Sequence, residues 1–285
     1  MRLIHLSDIH QQLDWRRRSL WSTGWRGAPG RFELHALGRL TQFDDAEARL
    51  GQLLDDLHAL SPDHVVLSGD LTALGHDDEF GRTRELLAPL IRERRLTVIP
   101  GNHDRYTDHG RSRFEAHFGD ALKSDLPELA DERGYPFVRL LGDDAALVGL
   151  DSTRVGGWTH YVLGRVGDAQ LEALGQILDH PTMAERTVLL VLHHGPLGPG
   201  GQPDWREAGL LDAKKLMRVI HGRSVVLQHG HSHHRFWHRA EGARPHIFGG
   251  GSSTQPGREG YWVIDVDDHR ELEGRAYLPG RQPVD

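Results

Sequence analysis

Short apolar runs alternate along this chain with segments whose apolar positions recur every three or four residues. The runs at 3–6, 64–67, 96–99, 145–150, 187–192 and 225–228 read as strands, and runs at 246–248, 261–266 and 273–277 follow without helical segments between them. The VVL of the second run is apolar throughout, as in a strand buried on both faces. Leu50, Leu53, Leu54, Leu57 and Leu60 form a helical stripe behind Asp44 and Asp45, either of which can cap it. Phe80, Leu86, Leu87, Leu90 and Ile91 stripe a second helix. Asp168 caps a third with Leu171, Leu174 and Leu178, and a fourth runs from Asp212 through Leu216, Val219 and Ile220 until Gly222 stops it. Strands alternating with helices predict an α/β fold, while the helix-free last strands predict an antiparallel section. The expectation is a mixed α/β (α+β) architecture, a two-sheet β-sandwich flanked by helices, in one domain over 1–285.

Polar residues break the apolar pattern just past the strand ends, in five motifs: Asp8-Ile9-His10, Gly69-Asp70, Gly101-Asn102-His103-Asp104, His193-His194 and Gly230-His231-Ser232-His233. In α/β sheets ligands bind in the crevice beyond the carboxyl ends of the strands, so these loops are expected to converge. Taken singly, each motif has an ordinary meaning as a turn or a solvated strand end. Taken together, they supply enough Asp, Asn and His to hold two divalent ions, with one histidine to spare. Asp8 and His10 stand at i and i+2, which in extended backbone aims both side chains to one side, and His231 and His233 repeat the spacing. Two ions about 3.5–4 Å apart need a bridging residue, and the Asp70 carboxylate can bridge where an imidazole cannot. Asn102 can offer a neutral amide oxygen, and His103 beside it can reach a substrate without binding metal. His193 is the first residue past its strand and the candidate ligand of its pair. His194 either touches substrate or is solvated.

Composition narrows these options. The chain has 285 residues, 38% hydrophobic and 26% charged, which is ordinary for a soluble globular protein with a large core. It has no cysteine, so a metal must take N and O ligands. Its formal net charge of −7 argues against general affinity for nucleic acid. With 21 histidines, position must decide which are ligands. No secretory signal is visible: residues 1–7 read as a strand leading into Asp8, and cleavage there would remove the first motif. No apolar run approaches the length of a membrane span, and a cytoplasmic location is expected.

The ordered motifs resemble the calcineurin-like metallophosphoesterase superfamily, whose pattern is D-x-H, G-D, G-N-H-D/E, H and G-H-x-H. The resemblance covers 8–233 and implies a two-sheet sandwich flanked by helices. It also implies that Asp8, His10, Asp70 and His233 hold one metal, that Asp70, Asn102, His193 and His231 hold the other, and that His103 is the catalytic histidine. Gly69-Asp70-Leu71-Thr72-Ala73-Leu74-Gly75 departs from the D-R-G of protein Ser/Thr phosphatases. Ala73 stands where purple acid phosphatases carry tyrosine, and Leu71-Thr72 departs from the lipid A precursor hydrolases. The remaining fit is to the class III cyclic-nucleotide and related phosphodiesterases, to which 164–174 and 248–266 are also similar.

The resemblance implies hydrolysis of a small phosphodiester by a metal-bridging hydroxide that two divalent ions generate. The ions are Mn²⁺ or Fe in a mixed N/O site, with Zn²⁺ an alternative. His103 would hydrogen-bond the phosphoryl or leaving-group oxygen, with Asp104 beside it favouring the charged imidazole. One stretch stands apart: 11–43 holds Trp15, Trp21 and Trp25 and a formal +4 from Arg16, Arg17, Arg18, Arg26, Arg31 and Arg39 against Asp14 and Glu33. It either meets an anionic substrate or membrane surface, or is a surface excursion whose tryptophans pack on the core. Gly249-Gly250-Gly251-Ser252-Ser253 reads as a turn rather than a phosphate cradle, lacking a Walker lysine and a following helix. Competing functions are a hydrolase of lipid-linked or nucleotide-linked phosphodiesters or pyrophosphates at a membrane surface, a nuclease, and a non-catalytic scaffold. The acidic balance disfavours a nuclease, and the full ligand set disfavours a scaffold. Oligomeric state is not legible.

Overall fold

The computed structural model describes residues 1–15, 32, 39–107, 109–154, 162–203, 209–242, 244–267 and 269–284. The strands form two six-stranded mixed sheets. The first runs, edge to edge, β12 (Gln282–Pro283), β11 (Leu272–Leu278), β10 (Tyr261–Val266), β1 (Arg2–Leu6), β2 (His64–Leu67) and β3 (Leu96–Val98). The second runs β4 (Phe137–Leu141), β5 (Ala145–Gly149), β6 (Thr187–Val191), β7 (Val225–His229), β9 (His246–Gly250) and β8 (Arg235–His238). Each sheet has a parallel centre, β1–β2–β3 in one and β5–β6–β7–β9 in the other, with antiparallel strands added outside it. The expected α/β architecture of two mixed sheets flanked by helices is therefore what the chain forms.

Strand alternation explains the layering. Leu3 of β1, Val66 of β2 and Ile264 of β10 join Leu147, Leu189 and Val226 of the second sheet in one apolar core between the sheets. Their neighbours Ile4, Leu6, Val65, Leu67 and Val263 point to the other face. There they meet Leu50, Leu53 and Leu57 of α1 (Ala46–Leu60), Phe80 and Leu87 of α2 (Asp77–Arg92) and Phe114 of α3 (Gly110–Phe118). Leu171, Leu174 and Ile177 of α4 (Asp168–Asp179) and Leu216 and Ile220 of α5 (Ala213–Ile220) belong to the first core, on the second sheet. Among the described residues no helix is long and apolar enough to cross a membrane.

Several details differ from expectation. Asp168 is the first residue of α4 rather than its cap, and it pairs with Lys215 instead. Asp212 does precede α5, but its carboxylate accepts from the backbone N–H of Val166 and Gly167, so it secures the entry to α4. β4 was not anticipated because Arg139 interrupts its apolar run. That arginine is buried, and its guanidinium donates to the carbonyls of Leu96 and Ala121. α3 was missed because Phe114 and Phe118 are its only large apolar residues. Of the insert's tryptophans, Trp15 packs inward and its indole N–H donates to Glu79 at 2.9 Å. Trp21 and Trp25, with Arg16, Arg17, Arg18, Arg26 and Arg31, lie outside the described residues.

His64 opens β2 fully enclosed, with Nε2 2.9 Å from Thr97 Oγ1. Burial, with Arg139 and Arg95 nearby, pushes its imidazole down from 6.5 to about 3. A lowered folded value means that the unfolded chain binds the proton first. The contribution is therefore intact above 6.5 and is lost as pH falls below it. Between pH 7 and 5 this group should cost about 2 kcal/mol of stability. Urea unfolding of His64→Gln, which keeps a hydrogen-bonding side chain, should show a correspondingly flatter dependence on pH in that window.

Candidate metal centre

All five motifs lie just beyond the carboxyl ends of parallel strands, three from the first sheet and two from the second. The loop after β1 is zipped to the loop after β2: Asp8 N donates to Gly69 O, His10 N to Asp70 O and Gln11 N to Leu71 O. Extended backbone does not set the Asp-x-His geometry, contrary to expectation. Asp8, His10, His231 and His233 all have positive φ, at 52°, 43°, 70° and 53°. Two tight left-handed residues flank each intervening one, and the side chains converge because the backbone curls. Such φ values are costly for non-glycine residues, and the surrounding hydrogen bonds hold them in place. The motif glycines answer a different need. A Cβ on Gly101 would lie 2.1 Å from Asp70 Oδ1, and one on Gly230 would lie 1.9 Å from Ser7 Oγ, so each gives way to a neighbouring loop.

Asp70 stands at the middle of the cluster. Its Oδ1 accepts from His103 N at 2.8 Å, which turns Oδ2 toward the imidazoles. That oxygen lies 3.3 Å from His193 Nε2, 3.8 Å from His10 Nε2 and 4.0 Å from His103 Nε2. On one side, Asp8 Oδ1 is 3.2 Å from His233 Nε2, and the Nε2 atoms of His10 and His233 are 3.2 Å apart. On the other, Asn102 Oδ1 lies 3.0 Å from both His193 Nε2 and His231 Nδ1. The seven expected ligands thus meet in two adjoining groups that share Asp70. Compatible ligand atoms of Asp8, His10 and His233, and of Asp8, Asp70 and His193, lie within 4.8 Å of one another.

The donor set fits divalent cations. Backbone carbonyls only accept, so the 2.8 Å contact with Ser68 O requires the hydrogen of His193 on Nδ1. In the neutral ring, Nε2 then presents a lone pair to the oxygens of Asn102 and Asp70, so a proton or a cation must lie between them. His233 is set in the same way, with Nδ1 2.5 Å from Gln255 Oε1 and Nε2 turned inward. Asp8 Oδ2 accepts from Ser7 Oγ and His231 N, while its buried Oδ1 has His233 Nε2 at 3.2 Å as its near neighbour among the described residues. Burial alone would raise Asp70, but His193, His103 and His10 hold it well below the usual carboxylate range. Burial likewise opposes charge on His193, yet Asp70 and Asp8 raise it to about 9. Outer partners that leave one nitrogen of each imidazole facing inward are the usual support of a metal-ligating histidine.

His103 lies beside this cluster, its Nδ1 donating to Ala73 O at 2.9 Å and its Nε2 facing Asp70 and Tyr106. His194 is buried rather than solvated. Its Nδ1 meets Ser152 Oγ at 2.9 Å, and its Nε2 is buried near the His231 ring without a hydrogen-bond partner among the described residues. Asp104 departs from expectation. Its carboxylate accepts from the backbone N–H of Leu71, Thr72 and Gly101 and from Thr72 Oγ1, at 2.8–3.2 Å. It joins the second and third motif loops instead of charging the imidazole. The turn after β9 also does more than expected: Ser252 Oγ donates to Asp8 O, Thr254 Oγ1 to Ile9 O, and Ser253 Oγ accepts from Ser7 N. Its one sequence signal is placement, since like the five motifs it follows a strand of the parallel centre. Phe43, with its ring 4.5 Å from that of His10, had no such signal.

Residues 1–235 match the family model described as calcineurin-like phosphoesterase. The chain belongs to that family. It is 30% identical over 237 residues to a protein of Rhodococcus erythropolis named as a probable cyclic nucleotide phosphodiesterase, a match that covers 81% of this chain and 64% of that one. It is 30% identical over 210 residues to a cAMP/cGMP dual specificity phosphodiesterase of Mycobacterium tuberculosis, covering 71% and 60%. The chain thus matches under two-thirds of the length of these curated relatives. In fold it is similar to a dimetal phosphatase from Danio rerio, with a TM-score of 0.61 at 13% identity, covering 97% of this chain and 96% of that one. These likenesses bear out the resemblance to class III phosphodiesterases and the metallophosphoesterase fold.

Asp104→Ala would leave three buried backbone N–H groups without their acceptor, at a cost of about 3 kcal/mol or more. Urea unfolding of the metal-free variant should show that loss. Unchanged stability together with lost turnover would instead return Asp104 to the chemistry.

Proposed function

We propose that this phosphoesterase hydrolyses a small phosphodiester, a cyclic nucleotide or a related ester, at a centre of two divalent cations. The observation that carries this is the position of Asp70, whose Oδ2 faces imidazoles of both ligand groups. Asp8, His10, Asp70 and His233 would hold one cation, and Asp70, Asn102, His193 and His231 the other. Nitrogen and oxygen donors suit Mn²⁺ or Fe, and also Zn²⁺. When bound, the pair supplies Lewis-acid charge and a water acidified toward neutral pH. The names of the relatives in Rhodococcus and Mycobacterium favour a cyclic nucleotide among the possible esters.

The chain's own residues do the rest. Two carboxylates and five neutral donors leave the centre positively charged when it is filled, so it attracts the phosphoryl oxygens. Ala73 O holds the His103 Nδ1 hydrogen, which keeps Nε2 turned toward the centre. In its charged form, with a second proton on Nε2, His103 donates to a phosphoryl oxygen or passes that proton to the leaving oxygen. His194 Nε2 offers a further contact on the His231 side. With Mn²⁺ present, the purified protein should cleave bis(p-nitrophenyl) phosphate. His103→Ala should lose roughly 10²-fold or more in kcat while metal analysis still finds two ions. Full activity in that variant would remove the role. Comparing cyclic nucleotides, glycerophosphodiesters and nucleotide-linked lipids by kcat/KM then selects the substrate class.

One observation favours a second reading, hydrolysis of a lipid-linked or nucleotide-linked ester at a membrane surface. Phe32, within the basic 11–43 stretch, is 62% exposed. Sedimentation with anionic vesicles at low salt, reversed by added salt, is the expected result if the stretch meets a membrane. No sedimentation at low salt removes this reading.

A further inference from the structure

Behind the Asp8 carboxylate, side chains from β1 and from the loops after β1 and β2 stand in a row. Ser7 Oγ lies 2.5 Å from Asp8 Oδ2, Ser68 Oγ lies 2.8 Å from Ser7 Oγ, and His5 Nε2 lies 2.8 Å from Ser68 Oγ. His5, Ser7, Asp8 and Ser68 are all buried. The second sheet leaves room for them. A Cβ on Gly250 would lie 2.9 Å from Ser7 Cβ and 3.0 Å from the His5 ring.

With Asp8 ionised, one arrangement of hydrogens satisfies the row. A carboxylate only accepts, so the Ser7 hydrogen goes to Asp8 Oδ2. The contact between the two hydroxyls then takes the Ser68 hydrogen, and the contact with His5 takes a hydrogen on Nε2. His5 Nδ1 has no hydrogen-bond partner among the described residues, which agrees with a neutral ring whose hydrogen is on Nε2. The row therefore runs one way, from His5 through Ser68 and Ser7 to Asp8. Asp8 Oδ2 also accepts from His231 N, which leaves Oδ1 turned toward His233 and His10.

We propose that Ser7 is a positioning residue for the cation on the Asp8 side: its hydroxyl, fixed as a donor by Ser68 and His5, ties down Asp8 Oδ2 so that Oδ1 is the oxygen offered to the ion. A carboxylate without that tie could turn and offer either oxygen. A Ser7 hydrogen that swung to Ser68 would tie nothing, and because Ser68 presents its own hydrogen, that alternative is closed. Ser68 also serves the other cation, but through a different atom, since its carbonyl accepts from His193 Nδ1. The two services can be separated by removing the hydroxyl alone. This role rests on the two-cation assignment proposed above.

Calorimetric titration of metal-free protein with Mn²⁺ tests the role, with His233→Ala identifying the ion on the Asp8 side. In Ser7→Ala that ion should bind about ten-fold or more weakly, the size usual for outer partners of metal ligands, while the other stays within about two-fold. Ser68→Ala keeps the carbonyl that holds His193, so it should weaken the same ion alone, by less than Ser7→Ala does. Added to Ser7→Ala, it should weaken that ion no further, since both changes act through one hydroxyl. Ser7→Ala removes a single oxygen. If the variant does not fold, Ser7→Cys, of similar size and a weak donor, is titrated in its place. Unchanged affinity in the Ser7 variant, or an equal loss at both ions, overturns the role while leaving the two-cation assignment standing. Ser68→Ala without effect, or a double variant weaker than Ser7→Ala alone, overturns the part given to Ser68. A wild-type chain that binds fewer than two Mn²⁺ overturns both the role and the assignment.

Discussion

Buried lone pairs crowded against one another cannot be left bare. Asp8, Asp70 and Asn102 bring oxygens, and four imidazoles bring inward nitrogens, into a space enclosed by two sheets. Asp8, Asp70, His10 and His193 are buried, His231 and His233 are partly so, and most of their lone pairs face other lone pairs. Positive charge must sit among them, as protons or as metal ions, for the arrangement to be tolerated at all. The raised value of His193 and the lowered value of Asp70 are the signs of that demand when protons alone answer it. The strained backbone at Asp8, His10, Asp70, His231 and His233, and the glycines that yield to neighbouring loops, are consequences of holding the donors at that spacing.

The two sheets divide this work. Loops of the first carry both carboxylates, the amide and His103, while loops of the second carry three of the four inward imidazoles. The cross-sheet contacts are short and specific: His193 Nδ1 to Ser68 O at 2.8 Å and His231 N to Asp8 Oδ2 at 3.1 Å. The core between the sheets is mainly apolar, with His5, His64 and Arg139 buried in it on hydrogen bonds to Ser68, Thr97 and the Leu96 carbonyl. That core sets the sheet spacing, so a loss of packing there would be felt as ligands moving apart.

Much of this was legible in the sequence, for a physical reason. Buried strands and amphipathic helices need apolar residues at periods of two and 3.6, and the nine strands and four long helices announced themselves that way. Ligands need particular side chains at fixed places, so the seven donors also stood out. What stayed hidden has weaker marks. β4 carries a buried arginine, β8 is half-exposed, and α3 has only two large apolar residues. Asp104 adjoins His103 in sequence, yet side chains adjacent on a tight turn point apart, and its partners are three backbone amides and the Thr72 hydroxyl. Tyr106, three residues beyond His103, gave no composition signal, although the turn brings it back onto the ring. Ser252 to Gln255 act through hydroxyls and an amide, which are common everywhere on a surface.

The clasp of residues 252–254 on residues 7–9 also orders events in time. β1 pairs with β2 on one side and with β10 on the other, so the strand at 2–6 is completed by one at 261–266. Until residues past 250 have emerged and closed on it, the curled Asp8–His10 loop has its bonds to residues 69–71 but lacks those to its carbonyls at Asp8 and Ile9. Contacts of such separation form late and slowly. A nascent chain that already carries all five motifs would therefore hold these donors loosely and in water, and their convergence belongs to the finished pair of sheets.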